Sequence, residues 1–274
     1  MKKGIVNRVR QLEPLVHNIT NYVTVNDVAN VVLACGGSPI MADDEADVAD
    51  IISICNGLNV NIGTLNSRTI PSMILAGKCA AHMGKVTVLD PVGAGASGLR
   101  TRTAMRLMQE IPFTIVRGNV SEMRALFGQD AKTKGVDADL KDAVTNENLK
   151  DAVAFVEACS KKSGAITIMT GAIDLVSDGE RTYVIRNGHA MMSRITGTGC
   201  MLSALVATYC AANPTELLDA AAGAVMVMGL AGEIAHARVE STPLAGTSSF
   251  RTYLIDAISN MTDEMLEEGM KIEG

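Results

Sequence analysis

The chain has 274 residues, of which 47% are hydrophobic, 20% charged and only 3% aromatic, with no Trp and a formal charge of −6. That is enough apolar material for one large α/β core, and the composition excludes a disordered or fibrous chain. The acidic balance, the lack of a long basic run and the scarcity of rings argue against a nucleic-acid partner; a phosphate ligand stays open, because such sites rest on local N–H groups and a metal.

The opening Met-Lys-Lys-Gly is basic, but charged residues interrupt everything up to Glu13, so no signal-peptide core is expected. From there short, largely β-branched apolar runs alternate with longer helical ones. The pattern predicts strand Pro14–Ile19, helix Val23–Cys35, strand Pro39–Ala42, helix Ala46–Asn56, strand Val60–Gly63, helix Arg68–Met83 and strand Val86–Asp90. Helix Thr101–Gln109, strand Thr114–Arg117 and helix Ser121–Phe127 follow. The polar stretch 129–150 holds no clear strand and reads as a surface flap with a short helix. Helix Asn148–Lys162 and strand Ala165–Thr170 come next. Asp178-Gly179-Glu180 then separates Asp174–Ser177 from Thr182–Arg186 as a hairpin. The remainder reads as helix over Met201–Ala212, Thr215–His236 and Ser248–Glu268, with Pro214 at a first helical position after an Asn213 cap.

Strand–helix alternation with nearly uniform apolar strands predicts an α/β fold, a mostly parallel sheet buried between helical layers. No stretch rich in Pro, Gly or Ser marks a boundary, so a single domain over 1–274 is expected. The longest apolar stretch, Ala220–Gly232, is too short for a bilayer and reads as a core helix, so no membrane partner is expected. Six cysteines (Cys35, Cys55, Cys79, Cys159, Cys200 and Cys210) form no Cys-x-x-Cys pair and no zinc-like cluster. They suit buried free thiols in a reducing, cytoplasmic setting.

Four motifs can carry chemistry. Thr196-Gly197-Thr198-Gly199-Cys200 precedes the apolar run Met201–Ala207; a glycine turn at a helix start offers an anion hole, although such turns also serve packing alone. Asp90 ends a buried strand and enters Pro91-Val92-Gly93-Ala94-Gly95, where an acid can hold Mg2+ or cap a turn. Arg117-Gly118-Asn119-Val120-Ser121-Glu122 passes from strand to helix: Asn119 and Glu122 fit a capping box, and Glu122 also fits an acid that orders Mg2+ waters while Arg117 grips phosphate. Thr170 closes a further strand and could offer its hydroxyl to a nucleotide. Asp, Arg and Thr at successive strand ends, with a glycine turn opening a helix, together suggest a Mg-nucleotide site at one edge of a sheet. Neither a Walker Gly-x-x-x-x-Gly-Lys-Ser/Thr nor a Gly-x-Gly-x-x-Gly is present, which weakens P-loop and Rossmann readings.

With Pro14-Leu15-Val16-His17-Asn18-Ile19-Thr20-Asn21 and Gly37-Ser38-Pro39-Ile40-Met41-Ala42, these stretches resemble the ribokinase-like superfamily and, within it, the hydroxyethylthiazole kinases of thiamin salvage. The resemblance implies a ribokinase-like three-layer α/β/α fold with a mostly parallel central sheet and no separate lid. It implies Mg-ATP-dependent phosphorylation of 4-methyl-5-(2-hydroxyethyl)thiazole by a homotrimer with sites between subunits. Met41 and Gly197 would contact the thiazole alcohol, with Asn21 near it; Arg117 and Thr170 would bind ATP; Asp90 and Glu122 would organise Mg2+. Thr198 and Gly199 would form the anion hole. Cys200 stands where many members of the superfamily place Asp as the base. A helix start can lower a thiol's pKa, yet loose phosphoryl transfer needs little base, so Cys200 is expected to contribute modestly beside the anion hole and Mg2+, or to pack only. His17 is expected in a pocket wall or an interface. A kinase for a pyrimidine or pyridoxal-like alcohol, a nucleotide-repair dehydratase and a non-catalytic binding module are the competing readings. Cys200 in place of Asp weighs against the dehydratase, and the presence of Asp90, Arg117, Asn119 and Glu122 weighs against the binding module.

Overall fold

The computed structural model describes residues 2–128 and 143–274. Its strands are β1 (Leu15–Ile19), β2 (Ser38–Ile40), β3 (Gly57–Asn61), β4 (Val86–Asp90), β5 (Ile115–Asn119), β6 (Ile166–Thr170), β7 (Asp174–Ser177), β8 (Thr182–Ile185) and β9 (Ile272–Glu273). All nine belong to one sheet, ordered β2-β1-β3-β4-β5-β6-β7-β8-β9. The first six pair in parallel, and the last three add on antiparallel. Strand β4, Val-Thr-Val-Leu-Asp, is buried at every position, as a strand covered on both faces must be.

Alternation along the strands divides the core in two. Val88, Ile115, Ile168 and Ile185 face one layer, while Leu89, Val116, Met169 and Val184 face the other. The first layer holds α1 (Ile5–Leu12), α2 (Val25–Cys35), α8 (Thr198–Ala212), α9 (Leu217–Ser241), α10 (Thr247–Asn260) and α11 (Asp263–Gly269). The second holds α3 (Val48–Ile54), α4 (Thr69–His82), α5 (Gly98–Glu110), α6 (Val120–Phe127) and α7 (Leu149–Ser163). This is the three-layer α/β/α arrangement with a mostly parallel sheet that the alternation predicts. Helix α8 is apolar around its circumference because it lies between the sheet and α2 and α9. Helix α9 is the one described helix long and apolar enough to cross a membrane, and most of its apolar window is buried inside the protein.

Several boundaries move for physical reasons. The third strand begins at Gly57 and not Val60, because Gly57, Leu58 and Asn59 pair with both β1 and β4. Its asparagines hid it: Asn59 donates to Asn18 and Asn61 to Asp90, so polar side chains sit inside a buried strand with their partners. Helix α9 starts at Leu217, after a turn through Pro214. Asn213 closes α8 instead of opening α9, its side-chain amide donating to the Tyr209 carbonyl. The expected last helix, Ser248–Glu268, is two, because Thr262 caps a fresh start by accepting the Met265 N–H. Unforeseen elements are α1, which buries Ile5, Val6 and Val9, and β9, which adds to β8. Of the expected flap, residues 129–142 lie outside the described residues.

Candidate active site

The carboxyl ends of the central strands carry the chemistry. In β3 and β4, Asn61 lies opposite Asp90; in β5 and β6, Arg117 lies opposite Ile168 and Asn119 opposite Thr170. Asn61, Asp90 and Arg117 therefore form a row across three neighbouring parallel strands, and Thr170 stands two residues further along β6, within reach of the Arg117 side chain. The row faces the first turn of α8, whose cap Gly197 has φ of 89°. A Cβ there would meet Thr24 Cγ2 at 2.7 Å, so glycine is required by conformation and by space. The first intrahelical bond runs from the Met201 N–H to the Gly197 carbonyl. The N–H groups of Thr198, Gly199 and Cys200 thus have no acceptor within the helix and point to its open end.

Asp90 is fully buried. Its Oδ2 accepts from Asn61 Nδ2 and from Ser203 Oγ, each at 2.8 Å. Its Oδ1 accepts no hydrogen bond and lies 3.7 Å from Arg117 Nη1. Burial pushes its carboxyl up to about 6, with Glu122 adding to the rise, while the Arg117 guanidinium and the Ser203 and Asn61 donors restrain it. Arg117 Nη2 donates to Thr170 Oγ1 at 2.7 Å, and its Nε, also buried, has no partner. Next to these, the Asp174 carboxylate accepts the Gly171 N–H, and burial raises its pKa to about 7.

Glu122 makes the capping box that one reading of the sequence foresaw. Asn119 Oδ1 accepts the Glu122 N–H at 2.9 Å, and Glu122 Oε2 accepts the Asn119 N–H at 2.8 Å. Its Oε1 accepts the Gly93 N–H at 2.8 Å, tying the loop after Asp90 to the start of α6. Each carboxylate oxygen keeps a further lone pair that could accept from a metal-bound water.

Two clefts meet at Arg117 and Gly199, which line both. The larger, of about 530 Å3, is walled by Thr170, Asp174, His189, Leu202 and Met228. The smaller, of about 360 Å3, is walled by Asn21, Thr24, Asn119, Glu122, Gly197 and Cys200. Cys200 Sγ accepts from Asn21 Nδ2 at 3.3 Å. Burial and the Asp90 carboxylate push the Cys200 thiol up. A thiol held above its ordinary range is neutral near neutral pH. Asn21, Arg117, Thr170, Glu122, Gly197, Thr198, Gly199 and Cys200 all line one or both clefts, and Asp90 is buried beside Arg117.

Met41 does not. It follows β2 at the sheet edge and packs half-buried against the α8 side of the core. His17 is fully buried, with Nε2 bonded to the Ala42 carbonyl at 2.8 Å, and it lines neither cleft. Sequence reasoning missed Asn61, Ser203 and His189. Asn61 lies one strand over from Asp90 and opposite it in register, and Ser203 lies in the second turn of α8, so both are found only once the register and the packing of α8 on β4 are known. His189 stacks on His236 with ring centroids 3.5 Å apart at the rim of the larger cleft.

No described cluster of three or more His, Cys, Asp or Glu forms a metal cage. The fit to Mg2+ is of another kind: a buried Asp90 oxygen without a partner, beside a carboxylate with spare lone pairs. This cation commonly binds one or two carboxylates and takes its other ligands from water and substrate phosphates.

Comparison with known proteins follows the same lines. The chain matches the model of the "Hydroxyethylthiazole kinase family" over residues 6–264. It is 50% identical to a hydroxyethylthiazole kinase of Clostridium acetobutylicum over 273 residues, covering 100% of this chain and 99% of that protein. It is 48% identical to one of Ruminiclostridium cellulolyticum, covering 98% and 95%. Its structure is similar to that of a hydroxyethylthiazole kinase from Pyrococcus horikoshii OT3, with a TM-score of 0.85, 34% identity and coverage of 98% and 96%. A ribokinase-like protein of Enterococcus faecalis, only 11% identical at a TM-score of 0.63 over 94% of each chain, shares the fold.

Proposed function

The chain belongs to the hydroxyethylthiazole kinase family, and from that premise we propose that it transfers the γ-phosphoryl group of Mg-ATP to the hydroxyl of 4-methyl-5-(2-hydroxyethyl)thiazole. The observation that carries this reading is the junction of the two clefts: Arg117, the buried free oxygen of Asp90 and the open first turn of α8 converge where they meet. ATP occupies the larger cleft with its phosphates toward Arg117 and Thr170. The thiazole alcohol occupies the smaller one beside Asn21, Gly197 and Cys200.

Transfer is then a displacement across the junction. The substrate oxygen bonds to the γ-phosphorus, the bond to the β–γ bridging oxygen breaks, ADP leaves, and the hydroxyl proton passes to a phosphoryl oxygen or to water. Charge on the transferred group faces the N–H groups of Thr198, Gly199 and Cys200 and the Arg117 guanidinium, positioned before the reaction begins. Asp90, with Glu122 behind it, would hold Mg2+, which supplies charge neutralisation between the phosphates when bound. Cys200, a neutral buried thiol, packs against the acceptor and accepts from Asn21; it is not the source of the rate.

The rest of the reading extends from the family. The whole chain acts as one cytoplasmic kinase domain and assembles as a homotrimer with sites at subunit borders, which gives Met41, lining neither cleft here, a route to the acceptor of a neighbouring copy. ATP consumption with Mg2+ on a panel of thiazole alcohol, hydroxymethylpyrimidine, pyridoxal and ribose tests the assignment. Turnover of the thiazole alcohol, abolished by EDTA, is expected. Turnover of another member alone reassigns the acceptor.

A further inference from the structure

We infer that Asn61 and Ser203 are positioning residues that aim Asp90 at the reaction and tie it to the acceptor pocket. Neither touches the proposed substrates. The inference rests on the kinase reading of this site.

The geometry leaves little freedom. Asn61 and Asp90 are opposite each other in the β3–β4 register, both with almost no exposure. Asn61 Nδ2 donates to Asp90 Oδ2 at 2.8 Å, and Asn61 Oδ1 accepts the Gly63 N–H at 2.9 Å. A carboxylate partner on one end and a backbone donor on the other allow only one orientation of this amide. Asn61 Oδ1 must then receive Asn21 Nδ2, 3.0 Å away, while Asn21 Oδ1 accepts the Thr24 N–H at 3.1 Å. The same Asn21 Nδ2 reaches Cys200 Sγ. Donors thus run one way, from the Thr24 backbone through Asn21 and Asn61 to Asp90. From the opposite side Ser203, buried in α8, donates to the same Oδ2 at 2.8 Å.

Two donors from two elements occupy Oδ2, and none occupies Oδ1. The carboxylate cannot swing without breaking both bonds inside the core, where an unmade bond to a charged group is costly. The free oxygen is therefore presented at a fixed place beside Arg117, which lines both clefts. Groups behind a metal-binding carboxylate commonly change metal affinity by roughly 10- to 100-fold when removed. The Asn21–Asn61 link adds a second consequence: the wall of the acceptor pocket and the carboxylate move as one unit.

The two residues are separable. Ser203→Ala removes one donor to Asp90 and leaves the acceptor pocket intact. It is expected to weaken Mn2+ binding to the protein–ADP complex, read by electron paramagnetic resonance, by roughly tenfold. It should lower kcat at fixed Mg2+ and leave KM for the thiazole alcohol within twofold. Asn61→Ala is expected to weaken Mn2+ similarly and also to raise KM for the thiazole alcohol at least threefold, because Asn21 loses its partner. Ser203→Thr, which keeps the hydroxyl, should restore the metal constant. A folded Ser203→Ala protein with an unchanged Mn2+ constant overturns the inference, whatever becomes of Asn61→Ala. The underlying reading is judged separately on the unaltered protein, by whether it phosphorylates the thiazole alcohol; Mn2+ binding compares the variants even if it does not.

Discussion

Gly199→Ala separates the geometry of the junction from the stability of the fold. Gly199 is the second residue of α8 and does not need a left-handed backbone. In the helix itself alanine is favoured over glycine by up to about 1 kcal/mol. Its Cβ, however, would stand 2.6 Å from Arg117 Nη1 and 2.9 Å from Nη2, both at the far end of a long side chain. The guanidinium can yield, so the fold survives; yielding takes it away from Thr170 Oγ1, now at 2.7 Å, and from the proposed phosphates. A charge-assisted hydrogen bond contributes about 1.5–3 kcal/mol, or roughly 10- to 100-fold in affinity. We predict a urea midpoint equal to or above that of the unaltered protein, with KM for ATP raised at least tenfold and KM for the thiazole alcohol changed far less. In an Arg117→Ala background the same change should add almost nothing, because the two act through one group. A folded Gly199→Ala enzyme with an unchanged KM for ATP would refute the placement of Arg117 against the phosphates.

Further predictions follow from other parts of the site. Cys200→Ala should lower kcat less than about tenfold, since the transition state needs little base, and the pH–rate profile should show no thiol limb between pH 6 and 8 because the thiol is pushed up. Asp90→Asn should abolish detectable turnover yet stabilise the metal-free protein at pH 8. The folded carboxyl titrates at about 6 against 3.8 for a free Asp, so the fold binds the extra proton. Its stability then falls as pH rises from about 4 to 6 and stays lower above, by about 2–3 kcal/mol from this group; denaturant titrations at pH 4.5 and 8 in EDTA check the sign, and equal slopes for parent and variant would contradict it. His189→Ala should raise KM for ATP about tenfold and leave KM for the thiazole alcohol unchanged, because a ring held by His236 walls only the larger cleft; equal effects on both constants would mean a general disturbance.

Much of the site was legible because parallel strands deliver their carboxyl ends to one edge. Asp90, Arg117 and Thr170 each end a run of apolar residues, and these strand ends taken together with the glycine turn suggested one shared site at the sheet edge. The glycine turn of Gly197 and Gly199 was legible as a helix start for the same kind of local reason. What stayed hidden depends on register and depth. Asn61 reads as a polar interruption of a strand until its position opposite Asp90 is known. Ser203 reads as one small residue among many on an apolar helix until α8 is laid across β4. The rise in the Cys200 pKa could not be read either: its helix position argues for a lower value, and burial beside Asp90 raises it. In the fold, α1 was missed because its charged face interrupts the apolar one, although Ile5 and Val9 keep a four-residue spacing.

The most direct test of the central claim is a crystal structure with Mg2+, a non-hydrolysable ATP analogue and the thiazole alcohol bound together. The account predicts the nucleotide in the larger cleft, the alcohol in the smaller, and the γ-phosphate between them, against Arg117 and the N–H groups of Thr198 to Cys200. A nucleotide seated in the smaller cleft, or an alcohol whose hydroxyl points away from the junction, would contradict it.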